Sequence, residues 1–301
     1  MTVIFEQVFI LFVFALTGYI LSKTKLVDPS HGKILSTLLV YVCLPANVLR
    51  TFAENCTVAY LKEKYPLVIG GTVIVTVIVA GAYFGAKLFA KEDYGRKIYR
   101  YALAVPNYSY MGYALAGSLL GSAGLLNIML FSMGLIVYNY MGAFPMLTKR
   151  GSSLKSLLNP MILSVILGMA AGLFQLILPR VAITVMDKAS GCLGPVSMLL
   201  AGISVSEFPL KELLRDWKAY IVTALRLVVI PVAVGCALIP IQNPVLTQCA
   251  VLLFAMPCGL NTIVFPKLVG EDCRIGASLA CISNVLACAT IPLVCTLFNI
   301  Y

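Results

Sequence analysis

The strongest constraint on this chain is a series of long apolar runs separated by short polar connections. A run of about 20 apolar residues spans a bilayer as an α-helix, because the helix bonds all of its backbone groups internally. The runs predict ten transmembrane helices, at about residues 3–22, 32–53, 66–90, 98–120, 124–147, 159–178, 182–206, 217–240, 245–268 and 275–299. A β-barrel would instead show alternating segments of about ten residues.

The composition favours the same fold class, an all-α membrane protein. Only 11% of the residues are charged and 60% are apolar, whereas a soluble domain has about 25% charged residues to wet its surface. The formal net charge of +10 is better explained by basic cytoplasmic loops than by nucleic acid, so no nucleic-acid partner is predicted. Residues 1–7 lack a positive leader region, and we expect the first run to remain as a helix.

The basic residues also predict an orientation. Sixteen of the 22 lysines and arginines lie in the connections that follow predicted helices 1, 3, 5, 7 and 9, or in the helix ends that adjoin them. Cytoplasmic loops are enriched in these residues. The pattern therefore predicts a multi-pass protein of the plasma or inner membrane with both termini on the non-cytoplasmic side.

Matching residues in the two halves predict an internal repeat. They recur 150 or 151 positions apart, as Gly18 with Gly168, Pro45 with Pro195, and Pro106 with Pro257. Residues 1–150 and 151–301 would each form five helices. Because five is odd, the second copy must be inverted, and inverted repeats are typical of secondary transporters.

Predicted helices 4 and 9 carry a mid-span proline at matching places, Pro106 and Pro257. Proline removes a backbone donor, which produces either a simple kink or a broken helix whose new N-terminus attracts an anion. Small and polar residues around both prolines favour the break. The candidate substrate-binding residues are Asn47, Pro106, Asn107, Tyr108, Pro257, Gly259 and Asn261.

Charged residues inside the predicted helices are few. Arg226 lies in the middle of predicted helix 8, where a charge indicates either function or a structural pairing, and nothing in the sequence places it beside the breaks. No Asp or Glu lies in predicted helices 4 or 9, so an acidic proton-antiport pair is not predicted, whereas backbone carbonyls remain available for Na⁺. One histidine and the lack of a CxxC pair predict no metal site. Cofactors and catalytic residues are not predicted either, because nucleotide-binding and protease motifs are lacking.

Two motifs resemble a known family. The patterns Pro-Asn-x-x-x-Met-Gly at 106–112 and Met-Pro-x-Gly at 256–259 are similar to the auxin efflux carrier family, which includes PIN-type plant auxin carriers and bacterial organic-acid permeases. The segments at 41–47, 193–202 and 283–284, and Arg226 with Pro231, resemble other helices of that family.

The resemblance implies how the chain works. Helices 1, 2, 6 and 7 would form a scaffold, and helices 3–5 and 8–10 a moving, elevator-type transport domain. A small organic anion, such as malate or an auxin-like acid, would bind at the crossing of helices 4 and 9, with Asn107 as its ligand. Coupling to H⁺ or Na⁺ and a homodimer stay open, and the short connection after helix 5 favours a bacterial organic-acid carrier. The alternatives are a sodium-coupled bile-acid-type symporter, which lacks its acidic ligand here, and an anion-binding receptor or channel.

Overall fold

The computed structural model describes residues 2–149 and 159–300. Within these ranges the regular structure is helical, apart from one isolated β-bridge. The predicted repeat boundary at 150–151, and most of the connection between predicted helices 5 and 6, lie outside the described residues. The fold is therefore all-α, as the sequence predicts.

Apart from one short helix of five residues, Leu210–Leu214, the described chain forms twelve helices joined by short connections. In chain order they are α1 (Thr2–Lys23), α2 (Pro29–Asn55), α3 (Val58–Leu88), α4 (Asp93–Ala104), α5 (Tyr108–Phe131), α6 (133–148), α7 (Pro160–Leu173), α8 (Arg180–Ser206), α9 (Trp217–Ile241), α10 (Pro244–Phe254), α11 (Asn261–Lys267) and α12 (Arg274–Leu297). Seven of them are long and apolar enough to cross a membrane, namely α1, α2, α3, α5, α8, α9 and α12. This confirms the prediction of a multi-pass membrane protein.

The predicted bounds are close for five helices and differ elsewhere. Predicted helix 5 (124–147) is divided at Ser132 between α5 and α6, and predicted helix 6 (159–178) already ends at Leu173. Helices α1, α2, α8, α9 and α12 begin and end close to the predicted positions. The predicted start of helix 3 at residue 66 is wrong, because α3 begins at Val58. The hydroxyl of Thr57 accepts a hydrogen bond from the Tyr60 backbone N–H at 3.1 Å, and this N-cap starts the helix within a polar stretch.

Helix α5 changes direction at Gly121. The backbone there has φ +69° and ψ −170°, a conformation that a residue with a Cβ rarely adopts. The turn separates residues 108–120 from 122–131 and falls between predicted helices 4 and 5. Gly121 thus ends the segment that leaves the Pro106 break.

Two helix pairs pack with their backbones in close approach. A Cβ on Gly18 of α1 would lie 2.2 Å from the carbonyl oxygen of Leu199 on α8. A Cβ on Gly168 of α7 would lie 2.8 Å from the carbonyl oxygen of Leu49 on α2. Small residues allow membrane helices to approach in this way, so glycine is required at both contacts.

Candidate functional site

Two helical segments of the structure are interrupted at prolines. Helix α4 ends at Ala104 and α5 begins at Tyr108, so the first gap contains Pro106. Helix α10 ends at Phe254 and α11 begins at Asn261, so the second contains Pro257. Each gap leaves backbone groups without helical partners inside an apolar protein, where every such group requires another partner.

The two gaps supply partners to each other. The Asn107 N–H donates to the Pro257 carbonyl at 2.8 Å, and the Gly259 N–H donates to the Val105 carbonyl at 3.3 Å. Between these bonds, Pro106 and Cys258 form the isolated antiparallel bridge. The structure therefore brings together five of the seven candidate residues, namely Pro106, Asn107, Tyr108, Pro257 and Gly259, where the two breaks cross.

Neighbouring side chains satisfy more of the exposed backbone. Ser283 of α12 accepts a hydrogen bond from the Cys258 N–H at 3.1 Å. Gly259 lies against the other break, and a Cβ there would be 3.1 Å from a ring carbon of Tyr101 and 3.2 Å from the Val105 carbonyl oxygen. A larger residue at Gly259 would push the crossing apart.

Asn107 carries an unsatisfied donor at this crossing. Its side chain is 2% exposed, and its amide nitrogen has no hydrogen-bond partner among the described residues. Its backbone carbonyl accepts the Gly112 N–H at 2.9 Å, so Asn107 sits at the N-terminal end of α5. A buried donor at the positive end of a helix dipole favours an anionic ligand.

Tyr108 is buried beneath the first break. Its ring packs edge-to-face on Tyr113 with the centroids 5.7 Å apart, and the Tyr113 hydroxyl is hydrogen-bonded to Ser132 at 2.7 Å. Tyr108 thus contributes apolar packing behind Asn107.

Asn261 belongs to a polar network that the sequence did not reveal. Its side-chain amide donates to the Tyr101 hydroxyl at 3.0 Å, and that hydroxyl donates to the Asn139 side-chain oxygen at 2.8 Å. Tyr101 and Asn139 lie on α4 and α6. The one sequence signal was an asparagine inside the apolar run of predicted helix 5, where an amide needs a partner.

A cavity of about 450 Å³ opens beside this network. We call it the Asn261 cavity. Its polar lining includes three amides, several hydroxyls and, among the described residues, a single charged group, Lys33. The polar and charged residues of this lining include Lys33, Ser109, Tyr110, Asn139, Tyr140 and Asn261. Such a lining combines hydrogen-bond donors with a positive charge.

A second cavity, of about 430 Å³, lies towards the other end of α2. It contains an ion-pair cluster in which Arg50 contacts Glu54 at 3.2 Å and also Asp187. We call it the Arg50 cavity. Thr37 lines the first cavity and Thr51 the second. The distance between them along α2 is roughly 21 Å, at about 1.5 Å per residue. The cavities therefore enter the protein from opposite ends of this helix.

Asn47 lines the Arg50 cavity rather than the crossing. Its amide nitrogen donates to the Ser190 hydroxyl at 2.6 Å, and its side-chain oxygen has no partner among the described residues. The structure thus separates Asn47 from Asn261, which lines the cavity at the other end.

Arg226, whose position relative to the breaks the sequence left open, lies directly behind the crossing. It is fully buried, its Nη1 donates to the Leu103 carbonyl at 3.3 Å, and its guanidinium carbon lies 5.3 Å from the Phe254 ring centroid. Leu103 and Phe254 are in the last turns of α4 and α10. The C-terminus of a helix is the negative end of its dipole. The arginine therefore lies beside both broken helices at the ends where a cation is favourable.

A helical membrane protein in which two paired breaks lie deep inside, with cavities at opposite ends of one helix, has the layout of a membrane transporter. The sequence profile of the family "Membrane transport protein" matches residues 3–154 and 143–295. The chain belongs to this family of transport proteins, which confirms the resemblance to the auxin efflux carriers.

Two relatives of known name extend over most of the chain. The "Putative malonate transporter" of Rhizobium meliloti (strain 1021) is 25% identical over 273 residues, which cover 85% of this chain and 84% of that protein. The "Uncharacterized transporter MJ1031" of Methanocaldococcus jannaschii is 24% identical over 301 residues, which cover 96% of each chain. Both names are those of transporters, which agrees with the family.

Proposed function

We propose that this chain is a secondary transporter of small organic anions, carboxylates such as malate or auxin-like acids. The substrate would bind where the two broken helices cross, and the crossing would be exposed to each side of the membrane in turn by an elevator movement. A coupling ion, H⁺ or Na⁺, would drive accumulation.

The observation that carries this proposal is the unpaired amide of Asn107. It is buried at the paired breaks and lies at the N-terminus of α5, where the helix dipole and the amide both favour a carboxylate. A neutral donor binds an anion without the tight ion pair that would slow its release. Ser109 and Tyr110, two and three residues further along the chain, line the Asn261 cavity.

The size and charge of the Asn261 cavity favour a small dicarboxylate. Its volume of about 450 Å³ lies near the lower end of the usual range for ligand pockets, about 300–1,000 Å³. Lys33 at its edge supplies a positive charge for a second carboxylate. The name of the Rhizobium meliloti relative, a malonate transporter, supports the same substrate class.

We also propose the full architecture of ten transmembrane helices in two inverted repeats, residues 1–150 and 151–301. The two glycine contacts support it, because Gly18 and Gly168 are 150 positions apart, and so are their partners Leu199 and Leu49. Exchanging the halves therefore converts the α1–α8 contact into the α7–α2 contact, as a two-fold axis in the membrane plane requires. These four helices would be the scaffold, and the remaining ones the transport domain.

We propose the orientation from the distribution of basic residues: the protein lies in the plasma membrane with both termini outside the cytoplasm. Lys33 then places the Asn261 cavity on the cytoplasmic side, and the Arg50 cavity on the other. Protease protection of epitope tags at the two ends tests this, and a protected N-terminal tag in intact cells would reverse the assignment.

Transport in proteoliposomes tests the function. We expect saturable uptake of labelled malonate or malate, acceleration by one of two imposed gradients (H⁺ or Na⁺), and counterflow when the vesicles are preloaded with unlabelled substrate. A channel would show no counterflow, and a receptor would bind without uptake.

Asn107→Ala should abolish this uptake while leaving the melting temperature close to that of the wild type. The matched control is Asn127→Ala, which removes an asparagine farther along α5 whose oxygen accepts from the Tyr60 hydroxyl at 2.8 Å. Normal uptake by a well-folded Asn107→Ala variant would place the site elsewhere.

A further inference from the structure

A third polar cavity lies at the membrane interface, away from the crossing. It is a cavity of about 150 Å³ between the end of α3 and the start of α4. We call it the Arg100 pocket, and its polar lining consists of Tyr83, Lys87, Asp93, Arg96, Lys97 and Arg100. Since a water molecule occupies about 30 Å³ in the liquid, the space suits a single compact group and excludes a whole lipid.

The pocket has an excess of positive charge that its own residues do not neutralise. Asp93 is the one acidic residue in the described lining, and it is already bound to Lys97 at 2.6 Å. This hydrogen bond lowers the pKa of the Asp93 carboxyl, so the carboxylate stays ionised and paired. Lys87, Arg96 and Arg100 line the cavity without an acidic partner among the described residues.

Two arginine donors in this pocket are unsatisfied. The Nε atoms of Arg96 and Arg100 are buried and have no hydrogen-bond partner among the described residues. The guanidinium of Arg100 lies 4.6 Å from the centroid of the Tyr83 ring, which holds its plane in position. Buried charged donors without partners are costly, and guanidinium groups bind phosphate oxygens in a planar, fork-like geometry.

The start of α4 contributes further donors. Glu92, its N-cap residue, makes no side-chain cap hydrogen bond, so first-turn N–H groups lack a side-chain acceptor at this end. Arg96, Lys97 and Arg100 all lie in the first two turns. The positive end of the helix dipole and the basic side chains thus favour the same anion.

The pocket borders the lipid. Phe84 and Leu88, in the last turns of α3, are 65% and 84% exposed, and Tyr83 is half exposed, as is typical of an aromatic residue at the membrane interface. An anion with acyl chains would therefore place its head in the pocket and its chains against α3. By the proposed orientation this is the cytoplasmic leaflet, which carries anionic lipid.

We propose that the Arg100 pocket binds a phosphate group, supplied by the headgroup of an anionic phospholipid. The site is separate from the substrate site. It lies at the N-terminal end of α4, the helix whose C-terminal end leads into the Pro106 break. Binding of the lipid would therefore stabilise one of the two broken helices from its far end.

Native mass spectrometry of the detergent-purified protein tests this proposal. The probes are dioleoyl-phosphatidylglycerol and dioleoylglycerol, which share acyl chains but differ in the phosphate headgroup. We expect the wild-type protein to retain phosphatidylglycerol but not dioleoylglycerol. The Arg96→Gln/Arg100→Gln variant should retain at least tenfold less phosphatidylglycerol. The control Lys211→Gln/Arg215→Gln removes the same charge from an exposed connection and should retain the lipid. Equal retention of both lipids, or wild-type retention by the pocket variant, would overturn the proposal.

Two further measurements need only the wild-type protein. Retention of phosphatidylglycerol should fall as the salt concentration rises, because charge–charge attraction is screened; retention that is independent of salt contradicts the site. In the second, delipidated protein is melted with inorganic phosphate or with phosphatidylglycerol. A larger rise in melting temperature with the lipid identifies the headgroup as the source. A rise with phosphate alone assigns the site to a free anion, and no rise with either refutes it.

Discussion

Replacing Arg226 tests how the crossing is stabilised. Its guanidinium bonds the Leu103 carbonyl at 3.3 Å and lies 5.3 Å from the Phe254 ring. A hydrogen bond from a charged group contributes about 1.5–3 kcal/mol, and a desolvated cation–π contact about 2 kcal/mol. Against this, an arginine at the centre of a membrane helix costs about 3 kcal/mol on insertion scales.

The two conservative replacements should therefore differ in a particular order. Arg226→Gln removes the contacts together with the charge, so we expect a net destabilisation of only about 1 kcal/mol. Arg226→Lys keeps a charge in the same apolar surroundings but loses the planar stacking over Phe254, and we expect a loss of about 2–4 kcal/mol. Lysine, the replacement that preserves charge, should be the worse one.

Thermal melting with a thiol-reactive dye measures this order, since many of the ten cysteines are buried and become reactive on unfolding. Arg180→Gln and Arg180→Lys, at the exposed start of α8, are the matched controls and should melt like the wild type. If Arg226→Lys melts like the wild type and keeps transport, while Arg226→Gln weakens anion binding, then the arginine acts on the substrate and the reasoning here is wrong.

Further predictions concern the crossing and the scaffold. Pro106→Ala and Pro257→Ala should melt at or above the wild-type temperature but transport more slowly, because alanine permits a continuous helix; normal uptake by Pro257→Ala would show that the second break is dispensable. Gly202→Ala should lower the melting temperature sharply and reduce expression, since its Cβ would lie 1.9 Å from the Ala15 carbonyl oxygen; unchanged melting would mean that α1 and α8 separate easily. Asn139→Ala should reduce uptake by weakening the Tyr101 network, and we expect the melting temperature to change less than the transport rate.

Hydropathy predicted most helix positions because the bilayer requires long apolar runs, and α8 and α9 begin close to where the runs begin. It missed the start of α3. The Thr57 side chain caps a helix that begins inside a polar stretch, which hydropathy assigns to a connection. The prolines indicated where the helices break. Gly18 and Gly168 were used only as signs of an internal repeat, and their close helix contacts were not predicted.

The pairing of the breaks could not be predicted from residue types. The bonds that join them involve the backbone groups of Val105, Asn107, Pro257 and Gly259, and every residue type except proline offers the same groups. Arg226 could not be placed beside the breaks for a related reason: its distance from Leu103 depends on how α9 packs against α4, and no local pattern encodes that.

The two breaks are joined by hydrogen bonds between main-chain atoms. The geometry of the crossing therefore does not depend on the side chains that line the Asn261 cavity. Ser109, Tyr110 and Tyr140 line that cavity but contribute nothing to the two bonds between the breaks. These positions are therefore open to exchange, in natural divergence and in a laboratory library alike. A search for new cargo specificity should randomise them together and leave residues 105–107 and 257–259 untouched.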